Sequence, residues 1–145
     1  MSSEIVFLEG ITDGAYREAI GELLDICHAL KLRIEWGSKG ASLRVRTPDR
    51  VEPLTIGWVF PPGVSGWQGL TDLTLGYDPA SAAQTPSVSA ALKDFLTGIA
   101  ALPGVDPAKP KGLVARHFAP GVLLANREQV REILTSLVQQ VAAGV

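Results

Sequence analysis

A two-layer α+β fold, an antiparallel meander of four strands with three amphipathic helices packed on one face, follows from three observations. Apolar residues recur at alternating spacings of four and three in two long segments and again near the C-terminal end. Between the first two, over residues 32–78, the apolar period drops to two. The links within that stretch are turn-forming segments rich in Gly, Pro, Asp and Ser. Strands joined this way pair antiparallel, and alternation gives their sheet one apolar and one polar face. Three apolar helix faces can close over the apolar side.

The first helix is expected over residues 12–31, where Tyr16, Ile20, Leu23, Cys27 and Leu30 share a face and Thr12 or Asp13 supplies the N-cap. Strands follow at about 32–36, 41–47, 54–60 and 70–78. Their inward residues are Leu32, Ile34 and Trp36, then Leu43, Val45 and Thr47, then Leu54, Ile56, Trp58 and Phe60, then Leu73, Leu75 and Tyr77. Trp36 and Trp58 are thereby expected as core anchors. A second helix, about 87–102, begins after Thr85-Pro86, buries Val88, Leu92, Phe95, Ile99 and Leu102, and stops at Pro103-Gly104. A third, about 126–143, starts at Asn126 with Gln129 in capping-box position and buries Val130, Leu134, Leu137 and Val141. The short apolar runs at 113–115 and 122–124 are each compatible with a further strand.

The length of 145 residues, with 46% hydrophobic and 19% charged positions, fits one domain over 1–145 whose core needs neither metal nor disulfide. A net charge of −2 argues against a globally basic nucleic-acid binder. The single Cys27 excludes an internal disulfide. The opening residues carry no basic n-region, and the uncharged stretch 53–71 is broken by three prolines and four glycines, so neither a signal peptide nor a membrane span is expected. These features point to a cytoplasmic protein.

Charge is unevenly distributed. Residues 31–50 carry six bases (Lys31, Arg33, Lys39, Arg44, Arg46 and Arg50) against Glu35 and Asp49, on an otherwise acidic first half. Alternation turns Arg33, Glu35, Ser42, Arg44, Arg46, Thr55, Asp72, Thr74 and Asp78 to the polar face. Arginine's planar fork matches a carboxylate or phosphate, so Arg33, Arg44 and Arg46 with Lys39 are candidates for gripping an anionic ligand or an acidic partner protein. The same charges also make ordinary cross-strand pairs, each contributing about 0.2–1 kcal/mol. Asp72 and Asp78 at the other side of that face, and Trp67 in the glycine-rich loop 61–69, complete the candidate binding set. Gly57 and Gly76 either leave the middle of the face shallow or mark bulges.

Catalytic constellations are incomplete. The order helix, three strands, helix resembles the restriction-endonuclease-like core, whose metal site needs an acid on one strand and an acid-x-Lys on the next. Pro48-Asp49 copies the start of that motif, yet the strand 54–60 holds neither acid nor lysine, and Asp72-Leu73-Thr74 lacks the lysine. Gly63, Gly66 and Gly69 are followed by a strand, where a phosphate-binding loop needs a helix N-terminus. Cys27 falls on a packed helix face, and the two histidines, His28 and His117, have no ligand spacing with it. The function expected is thus a non-catalytic binding or protein-interaction module without cofactor or metal, able to form a homo-oligomer; the alternative is a degenerate or metal-dependent nuclease-like hydrolase using Asp49, Asp72 or Asp78.

Overall fold

The structure is a computed structural model that describes residues 3–63, 70–108 and 112–143. It has the expected α+β class, with two elements of sheet added to the four foreseen. Helices α1 (Ser3–Glu9) and α2 (Gly14–Ala29) precede strands β1 (Arg33–Trp36), β2 (Ala41–Val45), β3 (Leu54–Val59) and β4 (Leu73–Tyr77). There follow a short α3 (Pro79–Ala82), a 3-10 turn (Pro86–Val88), α4 (Ser89–Ala100), β5 (Asp106–Pro107), β6 (Val114–Phe118), α5 (Pro120–Ala125) and α6 (Arg127–Ala143). Among the described residues the sheet has six strands in the order β1-β2-β3-β4-β6-β5, all antiparallel. The run at 113–115 therefore enters a strand, whereas that at 122–124 lies in a helix.

Local chemistry sets the helix ends. Asp13 accepts the amides of Ala15 and Tyr16 at 3.1 Å, capping α2. The face of α2 that carries Tyr16, Ile20, Leu23 and Cys27 is buried as the periodicity requires. Asn126 does not cap α6 by its side chain. Its amide reaches back to donate to the carbonyls of Pro103 and Val122, so it clamps α5 to the end of α4. Thr85 likewise donates to Ala82 instead of capping, and Asp49 supplies the missing acceptor by taking both the amide and the hydroxyl of Ser87.

One irregularity decides which residues face which layer. Leu43 pairs with Gly57 but Arg44 pairs with Thr55, which leaves Ile56 as an extra residue in β3. Ile56 is fully buried in the main core, and a Cβ on Gly57 would approach the Leu75 and Leu43 side chains of the same core. Two consecutive residues thus point toward the helices, and alternation beyond them is inverted. Trp58, paired with Ser42 and Thr74, lands on the opposite face, and Phe60 with it. The expected continuous inward row of Leu54, Ile56, Trp58 and Phe60 is therefore corrected: only the first two join the helix-covered core. Phe60 takes its place over Gly40, where any Cβ would collide with its ring and with the Val59 carbonyl.

The main core is the sheet's helix-covered side together with α2, α4 and α6, centred on Tyr16, Leu24, Leu43, Ile56, Leu75, Phe95 and Phe118, all at most 2% exposed. Trp36 stands at its margin, half-buried against Phe7 of α1 with ring centroids 5.2 Å apart. The other side is not uniformly wet. A second, smaller cluster of Trp58, Phe60, Leu70 and Ala115 forms there, with Ala108 and Leu113 packed against it. The β1–β2 side of that face keeps the polar character that alternation predicts.

Candidate functional site

The basic hairpin lies on the open face beside the second cluster, and the boundary between them is hollowed into a cleft of about 680 Å3. That size falls within the range of small-molecule sites. Ser42 and Arg44 of β2 and Thr55 and Trp58 of β3 form its floor; the tight turn at 37–40 closes one end, and Arg50, Glu52, Asp78 and Ser81 surround the other. The bulge in β3 is what makes this floor: it turns an indole out of the main core and sets it across the strand from Ser42, two residues from Arg44.

The charges lining the cleft are balanced by count, Lys39, Arg44 and Arg50 against Glu35, Glu52 and Asp78, but not by engagement. Glu35 is held by Arg33 at 2.8 Å, and Asp78 caps α3 by accepting the Ala80 amide at 3.0 Å. Arg44 is half-buried and donates from Nε to the Ser42 hydroxyl at 3.0 Å; among the described residues it has no carboxylate within ion-pair distance, and neither has Arg50. The hydrogen bond to Ser42 restrains the guanidinium and leaves its terminal nitrogens to donate elsewhere.

The residues singled out from the sequence are divided by the fold. Lys39, Arg44 and Asp78 line the cleft. Arg33 is directly opposite Arg44 across the β1–β2 ladder but exposed and paired to Glu35, and Arg46 lies beyond the end of β2, exposed. Trp67 is outside the described residues. Asp72 is some strands away: with φ +54° and 7% exposure, it accepts the Gly63 amide at 3.1 Å and contacts His117 Nε2 at 2.9 Å. The residues that reading the sequence missed are Trp58, Arg50 and Glu52. For Trp58 a signal existed, Gly57 in mid-strand; for Arg50 and Glu52, turn residues with no periodicity, there was none.

Asp49, Asp72 and Asp78, the acids that metal-dependent hydrolysis would use, are held apart by three different structural duties: one caps the turn before α4, one pairs with His117, one caps α3. Among the described residues no group of three His, Cys, Asp or Glu is placed to hold an ion. His117 does not form a catalytic triad with its neighbours either. Thr71 Oγ1, at 3.4 Å, and Asp72 Oδ2 both approach the same Nε2, whereas a triad places nucleophile and carboxylate on opposite ring nitrogens. Burial pushes the Cys27 thiol up to about 12, with the charge of Glu4 adding to it, so the thiolate needed for nucleophilic chemistry is suppressed. Burial also raises the Tyr16 phenol, helped by Asp72 and Asp13, and its hydroxyl donates to the Phe60 carbonyl, tying α2 to the end of β3.

Among the described residues no helix is long and apolar enough to cross a membrane. No known protein family, curated protein or solved structure matches the chain.

Proposed function

We propose that the protein is a non-catalytic binding module whose cleft on the open sheet face takes a small anionic ligand, with Arg44 and Arg50 as its anchors and Trp58 as an apolar wall. The observation that carries this reading is Arg44: a half-buried guanidinium at the floor of a ligand-sized cleft, held by Ser42 and without a carboxylate partner among the described residues. A cation is retained in such a place at a desolvation cost that a bound carboxylate or phosphate would offset. The buried free thiol of Cys27 is compatible with the reducing cytoplasm.

Thermal unfolding in the presence of citrate and of inorganic phosphate tests the reading. A ligand that binds the folded chain stabilises it by about 2.7 kcal/mol at a hundred times its dissociation constant. At least one of the two anions should raise the Tm of the native protein at constant ionic strength, and the Arg44→Ala/Arg50→Ala double variant should lose that gain. An identical anion response in the double variant overturns the assignment of the cleft.

A further inference from the structure

One register row crosses the whole sheet on its open face: Glu35, Ser42, Trp58, Thr74, His117 and Asp106 are successive cross-strand partners from β1 to β5. Its first three members line the cleft. Its last three line a separate pocket of about 170 Å3, on the far side of Trp58, walled by Leu70, Pro107 and Ala108. Thr74 lines this pocket and is 0% exposed, and among the described residues its hydroxyl has no hydrogen-bond partner. An orphaned buried hydroxyl is destabilising, and valine would fill the same volume without that penalty. A hydroxyl in this position is a ready contact for a molecule that enters.

The chemistry of the lining selects what enters. Asp72 Oδ2 lies 2.9 Å from His117 Nε2, so that ring nitrogen is already engaged and not offered to a ligand. Asp106, next to His117 across the β5–β6 ladder, brings a carboxylate with no ion-pair partner among the described residues. The unspent capacity is therefore mostly acceptor and carries a negative charge, with short apolar walls around it. We propose that this pocket binds the ammonium group of a small primary amine: Asp106 balances its charge, the Thr74 hydroxyl accepts one of its N–H bonds, and Leu70 and Pro107 contact its alkyl chain. The volume corresponds to roughly five or six water molecules, enough for a short alkylamine.

Titration of the full chain with n-butylammonium chloride, with n-butanol as the neutral isostere at matched ionic strength, tests this by NMR of the Thr71 and Thr74 methyls and the His117 ring. The amine should give saturable shifts at these groups, while the alcohol should fail to saturate them. Asp106→Asn, a change at an exposed residue, and Thr74→Val should each weaken the amine by about tenfold, the scale of one lost charge-assisted hydrogen bond. The Arg44→Ala/Arg50→Ala variant should bind it normally, which separates this site from the cleft. Equal binding of n-butanol, a response that never saturates, or an unchanged affinity in Asp106→Asn overturns the proposal, whatever the stability of Thr74→Val.

Discussion

Gly57→Ala distinguishes the bulged β3 from an uninterrupted strand by the sign of its effect. In the bulged strand the new methyl enters the main core, 2.8 Å from Leu75 Cδ2, 3.2 Å from the Thr74 carbonyl oxygen and 3.4 Å from Leu43 Cδ1. Leu75 and Leu43 are both 0% exposed, so neither side chain has open space to retreat into. Overpacking of this kind costs about 1–3 kcal/mol. Replacing glycine also lowers the entropy of the unfolded chain, which returns about 0.4–1 kcal/mol. The net should be a loss of up to about 2.6 kcal/mol, read as a lower urea midpoint at unchanged m-value by circular dichroism. With unbroken alternation the methyl would instead point to the open face, and the entropic gain alone would make the variant more stable. A stabilised Gly57→Ala protein would refute the inverted register, and with it the placement of Trp58 in the cleft.

Two other perturbations test the groups that hold the sheet to the helices and to its neighbouring strand. Cys27 and Tyr16 are held protonated in the fold, Cys27 up to about 12 from an ordinary 9.0, so stability should be complete below pH 9 and fall as pH rises and the unfolded chain releases protons the core retains. The slope from the thiol should be about 1.4 kcal/mol per pH unit, with tyrosine adding to it above its ordinary 10.0; if urea unfolding gives the same slope between pH 9 and 10 in Cys27→Ala, the attribution to the thiol fails. Asp72→Ala should destabilise by about 3–5 kcal/mol, since it removes the acceptor of Gly63 and His117 and puts alanine at a left-handed φ, whereas Asp72→Asn, which tolerates that φ and keeps an acceptor oxygen, should lose less than about 2 kcal/mol. Equal losses in chemical denaturation would contradict the role given to the backbone conformation.

The sequence by itself determined the elements whose signal is repeated along the chain. The helical faces of Tyr16 through Cys27, of Leu92 through Ile99 and of Val130 through Val141 are buried as their spacing dictates, because in a helix three- and four-residue neighbours share a side whatever the rest of the molecule does. The strands β1 to β4 were legible for the same reason, as were the outward placement of Arg44 and the capping role of Asp13. Tertiary structure decided everything that depends on pairing between distant residues. One unpaired residue, Ile56, inverts the faces of all that follows in β3, and no local pattern records it beyond the glycine beside it, since Leu54, Ile56, Trp58 and Phe60 alternate perfectly on paper. The capture of β6 by β4 brings His117 to Asp72 across 45 residues of chain, and the return of Asp49 to Ser87 spans 38. Such contacts form only where the fold brings two segments together; before folding, nothing in either segment distinguishes a residue bound for a site from one bound for plain surface.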